Sequence, residues 1–142
     1  MRYQVTKFLV LLCCLCLPVA GPAVSFAQDR QEALVAKVDP DGVQRVRIEG
    51  GGYFFKPNHI VIKVNVPLEL LASREAGVVP HNLVIKAPEA GISVDEDLTT
   101  DIKKIAFTAT AVGRYPFYCG KKLLFFASHR ERGMEGVLEV IP

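Results

Sequence analysis

The chain has 142 residues, 50% of them hydrophobic, and its 17 basic and 15 acidic side chains give a formal net charge of +2. A chain of this size holds one core of ordinary dimensions. So even a balance of charge leaves no electrostatic footprint for nucleic acid, and none is expected as a partner.

Arg2 and Lys7 precede an apolar run from Phe8 to Val19, and Ser25-Phe26-Ala27 gives a small-x-small pattern before Gln28. That is the layout of a cleaved signal peptide over residues 1–27, and it predicts a periplasmic or secreted protein. The alternative is a retained anchor, since the run is nearly long enough to span a bilayer. Pro18, Gly21 and Pro22 interrupt it. Cleavage leaves one domain, residues 28–142, whose formal charge falls to 0 with the loss of Arg2 and Lys7. Cys13, Cys14 and Cys16 leave as well, so Cys119 has no disulfide partner. A lone Cys in an oxidising compartment is a liability unless it is buried or ligated.

Gln31 to Asp39 reads as a first strand or a short helix, ending in the Asp39-Pro40-Asp41-Gly42 turn. Beyond Val43 the pattern has period two, the signature of strands. Val46 and Ile48 alternate with Arg45 and Arg47, and Glu49-Gly50-Gly51-Gly52 marks a bulge or bend. Ile60, Ile62, Val64, Val66, Leu68 and Leu70 form one face of a long run, with His59 on the opposite, solvent-facing side. Further runs follow at His81–Ile85, Lys104–Ala109, Tyr115–Cys119 and Met134–Val140, separated by Gly- and Pro-containing turns at spacings typical of a β-sandwich. No internal repeat or linker interrupts them. One all-β domain is predicted, as a monomer.

Parity brings the chemistry together. Cys119 shares a strand face with Tyr115 and Phe117, and His81 shares one with Leu83 and Ile85. If those faces line the core, both residues project from strand ends into one interior. Cys119 is followed by His129 and then by Met134, the only Met beyond the initiator. One thiolate, two imidazoles and one thioether make the ligand set of a mononuclear blue-copper electron-transfer site. In that set Cys119 supplies the covalent bond, His81 and His129 complete a trigonal plane, and Met134 is the long axial ligand that tunes potential.

Four landmarks in order resemble the cupredoxins, the small blue-copper proteins related to plastocyanin and azurin. They are Phe55-Lys-Pro57-Asn-His-Ile60, His81-Asn82, Gly113-Arg-Tyr115-Pro-Phe117-Tyr-Cys119, and His129-x4-Met134-x-Gly136-x-Leu138-x-Val140. The resemblance spans roughly Gly50 to Ile141 and implies a Greek-key β-sandwich with a type 1 Cu(I)/Cu(II) centre that catalyses no net chemistry on a substrate. It implies that His129 presents its ring edge to the surface, that Asn82 ties the two ligand loops together, and that Tyr118 offers a second electron route or simply packs. Redox proteins, free or in a membrane complex, are the implied partners.

The loop between Cys119 and His129 departs from the family spacing of two to four residues, for it has nine, Gly120 to Ser128. Lengthening a loop threefold costs only about 1 kcal/mol of closure entropy. Leu123-Leu124-Phe125-Phe126 within it is expected to fold back over the site, the alternative being an exposed docking patch. The loop lacks the second Cys of a binuclear copper centre. Lys121, Lys122, Arg130 and Arg132 flank it as solvated charges or as a steering field for an acidic partner or an anionic membrane. The acidic stretch Glu89 to Asp97 lacks the spacing of a calcium loop and reads as solvated surface.

Three other functions compete. Storage or delivery of Cu(I) uses the same soft ligands, but no Met-rich or His-rich tail accompanies them. Structural zinc has little use for a thioether. A thiol enzyme built on Cys119, His81 and Asn82 lacks a nucleophile-bearing helix start.

Overall fold

Ten strands make up the computed structural model, which describes residues 32–142, and alternation of buried and less buried side chains is clearest in β2, β5 and β7. The signal-peptide reading lies outside the described residues. The strands are β1 (Leu34–Val35), β2 (Gln44–Gly51), β3 (Phe54–Lys56), β4 (His59–Lys63) and β5 (Pro67–Arg74). They continue as β6 (His81–Ala87), β7 (Ile92–Leu98), β8 (Lys103–Thr108), β9 (Gly113–Tyr118) and β10 (Glu135–Ile141). A single 3-10 turn, Pro88–Ala90, joins β6 to β7.

Two sheets face one another. One has six strands in the order β1-β4-β10-β9-β6-β7, the other four in the order β3-β2-β5-β8. The chain crosses repeatedly between them, giving the β-sandwich that the turn spacing predicts, with the Greek-key connections that the resemblance implies. The core is the layer between the inner faces, with Phe55 and Phe117 meeting edge to face at 5.4 Å. Gly136 makes that packing possible. A Cβ there would lie 2.3 Å from the Phe117 ring and 2.4 Å from the Asn58 carbonyl oxygen. The ambiguous first segment is a strand, with Leu34 and Val35 pairing parallel to Ile60 and Val61.

The long run from Ile60 to Leu70 is two strands rather than one. β4 ends at Lys63, the chain turns through Asn65 in the left-handed region at φ 58°, and β5 begins at Pro67 in the other sheet. The period survives because both halves face the same core, so the pattern alone does not reveal the crossing. A buried side chain holds this corner. Gln44 is fully enclosed, donates from Nε2 to the carbonyls of Lys63 (3.2 Å) and Val66 (3.3 Å), and accepts the Lys63 N–H at 2.7 Å. The acidic side chains Glu89, Asp95 and Asp97 are exposed, as expected, while Ile92, Val94 and Leu98 of β7 turn into the core.

Gln44→Leu keeps the volume but strips the buried corner of its partners, each unmet group costing about 1–3 kcal/mol. We expect a loss of about 2–4 kcal/mol in urea unfolding. A loss near zero would show that the corner closes without the side chain.

Candidate metal centre

Pairing of β9 with both β6 and β10 sets the site at one pole of the sandwich. Ile85 lies opposite Phe117 and Glu135 opposite Tyr118, so the chain leaves β9 at Cys119 beside the start of β6 and the start of β10. Cys119 N–H donates to the Met134 carbonyl at 3.0 Å, extending the β9–β10 ladder by one step. His81, at the first position of β6, points inward with Leu83 and Ile85, as parity predicts.

His129 arrives on a turn that the sequence caps. Ser128 and Glu131 form a reciprocal capping box: the Glu131 carboxylate accepts the Ser128 N–H at 2.6 Å, and Ser128 Oγ accepts the Glu131 N–H at 3.3 Å. The same Ser128 bonds hold the Glu131 carboxyl below its ordinary pKa. Gly133, at φ 95°, ends the turn in a conformation that favours glycine. The Met134 N–H then donates to the His129 carbonyl at 2.9 Å. The Ser128-x-x-Glu131 spacing, not singled out from the sequence, is the local signal that fixes His129.

The long loop does not loosen this geometry. His129 N–H donates to the Lys121 carbonyl at 2.9 Å and closes the base of the loop. Residues 122–128 are therefore extruded as a small surface loop, and the site is completed beneath them.

His81, Cys119 and His129 form a buried donor cluster, with their ligand atoms all within 4.8 Å of one another. Nδ1 of His81 and Nδ1 of His129 are 3.1 Å apart, and Cys119 Sγ lies 3.9 Å from the first and 3.4 Å from the second. A point equidistant from the three atoms lies about 2.0 Å from each, close to the ~2.0–2.3 Å bonds of imidazole and thiolate to a transition metal. The triangle fits one small soft cation. Cys119 is wholly buried and the two rings are 5–6% exposed. Burial pushes the His81 imidazole below its usual pKa, helped by His129 and Arg74; burial and then Arg132 do the same to His129. Both shifts favour the neutral imidazole, the form that binds a metal.

Asn82 braces the cluster. Its backbone N–H donates to Cys119 Sγ at 3.5 Å, its Oδ1 accepts the Gly120 N–H at 2.7 Å, and its Nδ2 donates to Asp95 at 2.8 Å. Asp97 pairs with Lys121 at 2.6 Å on the same side. Met134 is fully buried, and its Cε would sit 3.0 Å from a Cβ on Gly50. Gly50 thus gives the Met134 methyl its space. His59 stands apart from the cluster and bonds Glu139 at 2.8 Å.

Two features differ from expectation. The His129 ring edge is not at the surface but at the floor of a cleft of about 430 Å³. Leu123 to Phe126 do not fold back as a cover, for they are 57–98% exposed. One neighbour was unmarked in the sequence reading. Tyr53, in the β2–β3 hairpin and at φ 67°, places its ring against His129, with centroids 5.1 Å apart and planes at 82°. Arg132 lies over the Tyr53 ring and donates to its hydroxyl at 3.1 Å. Tyr118 carries Arg130 over its ring at 4.2 Å, a packing role.

Solved structures of similar fold are copper and redox proteins. The Cu(I)-bound metal-binding domain of the Cu(I)-exporting P-type ATPase CopA of Streptococcus pneumoniae D39 superposes with a TM-score of 0.60 and 24% identity, covering 79% of this chain and 98% of that one. Reduced auracyanin of Roseiflexus castenholzii gives 0.50 and 18%, covering 75% and 99%. The periplasmic domain of cytochrome oxidase subunit II of Bradyrhizobium japonicum gives 0.53 and 14%, covering 75% and 85%. No protein-family profile matches the sequence, and no curated protein matches it significantly. At these identities the likeness establishes the fold, a two-sheet β-sandwich of the cupredoxin type, and the buried His-Cys-His cluster lies at its pole.

Asn82→Ala removes the side-chain tie between β6 and the Cys119 loop while leaving all three donors in place. We expect Cu(I) affinity, measured by competition with a chromogenic chelator, to fall about 10–100-fold. Unchanged affinity would show that the strands alone hold the donors.

Proposed function

We propose that the protein carries single electrons between redox proteins through one copper ion held by His81, Cys119, His129 and Met134 as a type 1 centre. The observation that carries this reading is the buried triangle of two imidazole nitrogens and one thiol sulfur, sized for a single ion. Copper in such a donor set supplies a one-electron Cu(I)/Cu(II) couple. The chain's contribution is rigidity and dryness. Asn82 fixes the position of Cys119, the capped turn fixes His129, and the sandwich closes over the rest. His129, at the floor of the cleft, gives the shortest way out for an electron, and no substrate needs to enter.

Met134 is proposed as the fourth, axial donor because its backbone bonds to both Cys119 and His129 and its side chain is wholly enclosed beside them. An extracytoplasmic location is supported by the signal-like residues 1–27 and by the periplasmic domain that shares the fold.

Cu(I) storage or delivery is the second reading. It is favoured by the cleft that reaches His129 and by the shared fold of a domain that binds Cu(I) in an exporter. The two readings separate by reversibility.

Residues 28–142 loaded with Cu(II) are expected to show an intense thiolate-to-copper absorption that bleaches with ascorbate and returns on oxidation. Cys119→Ala abolishes the band, Met134→Leu keeps it and raises the potential, and His59→Ala changes neither. Tight Cu(I) binding without the band would favour metal handling. A site bleached by His59→Ala and spared by His129→Ala would overturn the ligand assignment.

A further inference from the structure

The loop that the donor cluster does not need carries four exposed apolar side chains in succession, Leu123 to Phe126. Because the Lys121–His129 bond closes the base, residues 122–128 are free for another task. They turn tightly, with Phe126 N–H donating to the Leu123 carbonyl at 3.0 Å. Turns of this kind are made from Gly, Asn, Asp and Pro, for reasons of backbone freedom and local hydrogen bonding. Here all four positions are Leu or Phe, and Leu124 is held at φ 45°, in the left-handed region that a bulky side chain rarely adopts. Backbone strain at an apolar tip is unexplained by packing, because nothing packs there. Leu124 is 74% exposed and Phe125 98%. Val78, also 98% exposed, comes from the β5–β6 loop, which lines the same cleft as Leu123 and Phe126.

Charge is arranged behind this tip. Lys121, Lys122 and Arg132 line the cleft at the loop's base. Lys121 is paired with Asp97, whereas Lys122 and Arg132 have no carboxylate partner among the described residues. An apolar tip over a cationic base follows the layering of a bilayer surface, with acyl chains beneath phosphates. A protein partner is better matched by a flat, continuous patch, whereas Leu124 and Phe125 sit at the tip of a tight turn, 74% and 98% exposed.

We propose that the extruded loop, with Val78 beside it, seats the donor-cluster pole on a bilayer containing anionic lipid. Leu124 and Phe125 enter the acyl boundary while Lys122 and Arg132 lie at the phosphates. Docking turns the cleft above His129 toward the membrane. It does not depend on copper, so it stands or falls apart from the electron-transfer reading.

The test uses residues 28–142, which retain every strand of both sheets, so that the apolar N-terminal run cannot bind lipid itself. Cosedimentation is measured with vesicles of phosphatidylcholine mixed with phosphatidylglycerol, and with phosphatidylcholine alone. We expect binding to the mixed vesicles that weakens with added salt and is markedly lower on the neutral ones. Leu124→Ser with Phe125→Ser should weaken binding by about tenfold or more, and Lys122→Ala by about fivefold. The substituted side chains are exposed, so the urea midpoint and copper loading should match the parent chain and confirm intact folding. Binding to mixed vesicles no stronger than to neutral ones overturns the proposal, as does undiminished binding of the doubly substituted loop. Loss of exchange with a redox protein in that variant, with no vesicle binding by the parent, would assign the loop to a protein partner instead.

Discussion

Asn82 is where the two halves of the site become one object. Its residue position puts a backbone N–H on Cys119 Sγ, and its carboxamide reaches the Gly120 N–H on one side and the Asp95 carboxylate on the other. The chain leaving β9 is thereby tied to β6, and through Asp95 to β7, by a single side chain. Without that tie, His81 and Cys119 would be held only through the strand pairing of β6 with β9, which reaches no further than Val84 and Tyr118. Charge-assisted and buried hydrogen bonds are the ones that resist competition from water, and this group has both kinds.

The long insertion shows how a fold absorbs extra chain without disturbing a centre. Closing the loop at Lys121 and His129 returns the backbone to the site as though the intervening residues were few. The capping box of Ser128 and Glu131 then sets the direction in which His129 leaves. Precision at the cluster and freedom at the loop tip are thus kept on separate backbone segments.

Much of this was legible from side-chain parity. The inward facing of Tyr115, Phe117 and Cys119, and of His81, Leu83 and Ile85, follows from period two once a core is assumed. The triplet His81, Cys119 and His129 was readable because these residue types are scarce in the chain. What escaped were features set by tertiary contact. The crossing at Asn65 keeps the same hydrophobic phase on both sides, so nothing in the run from Ile60 to Leu70 announces it. Apolar character in Leu123 to Phe126 suggested burial, yet burial needs a surface to pack on, and the tight turn carries them away from one. Tyr53 and Gly50 act on the site from the opposite sheet, at long sequence separation, and no local pattern signals either.

Tyr53 also gives the molecule an optical property. The chain contains no Trp, and among the described residues its only tyrosines are Tyr53, Tyr115 and Tyr118. Ultraviolet emission from the folded domain is therefore tyrosine emission, and one of its three sources rests directly against the His129 ring. A paramagnetic ion bound to that imidazole would darken Tyr53. The protein is thus its own occupancy gauge, readable in unlabelled form by the brightness of a ring held in place from the far sheet.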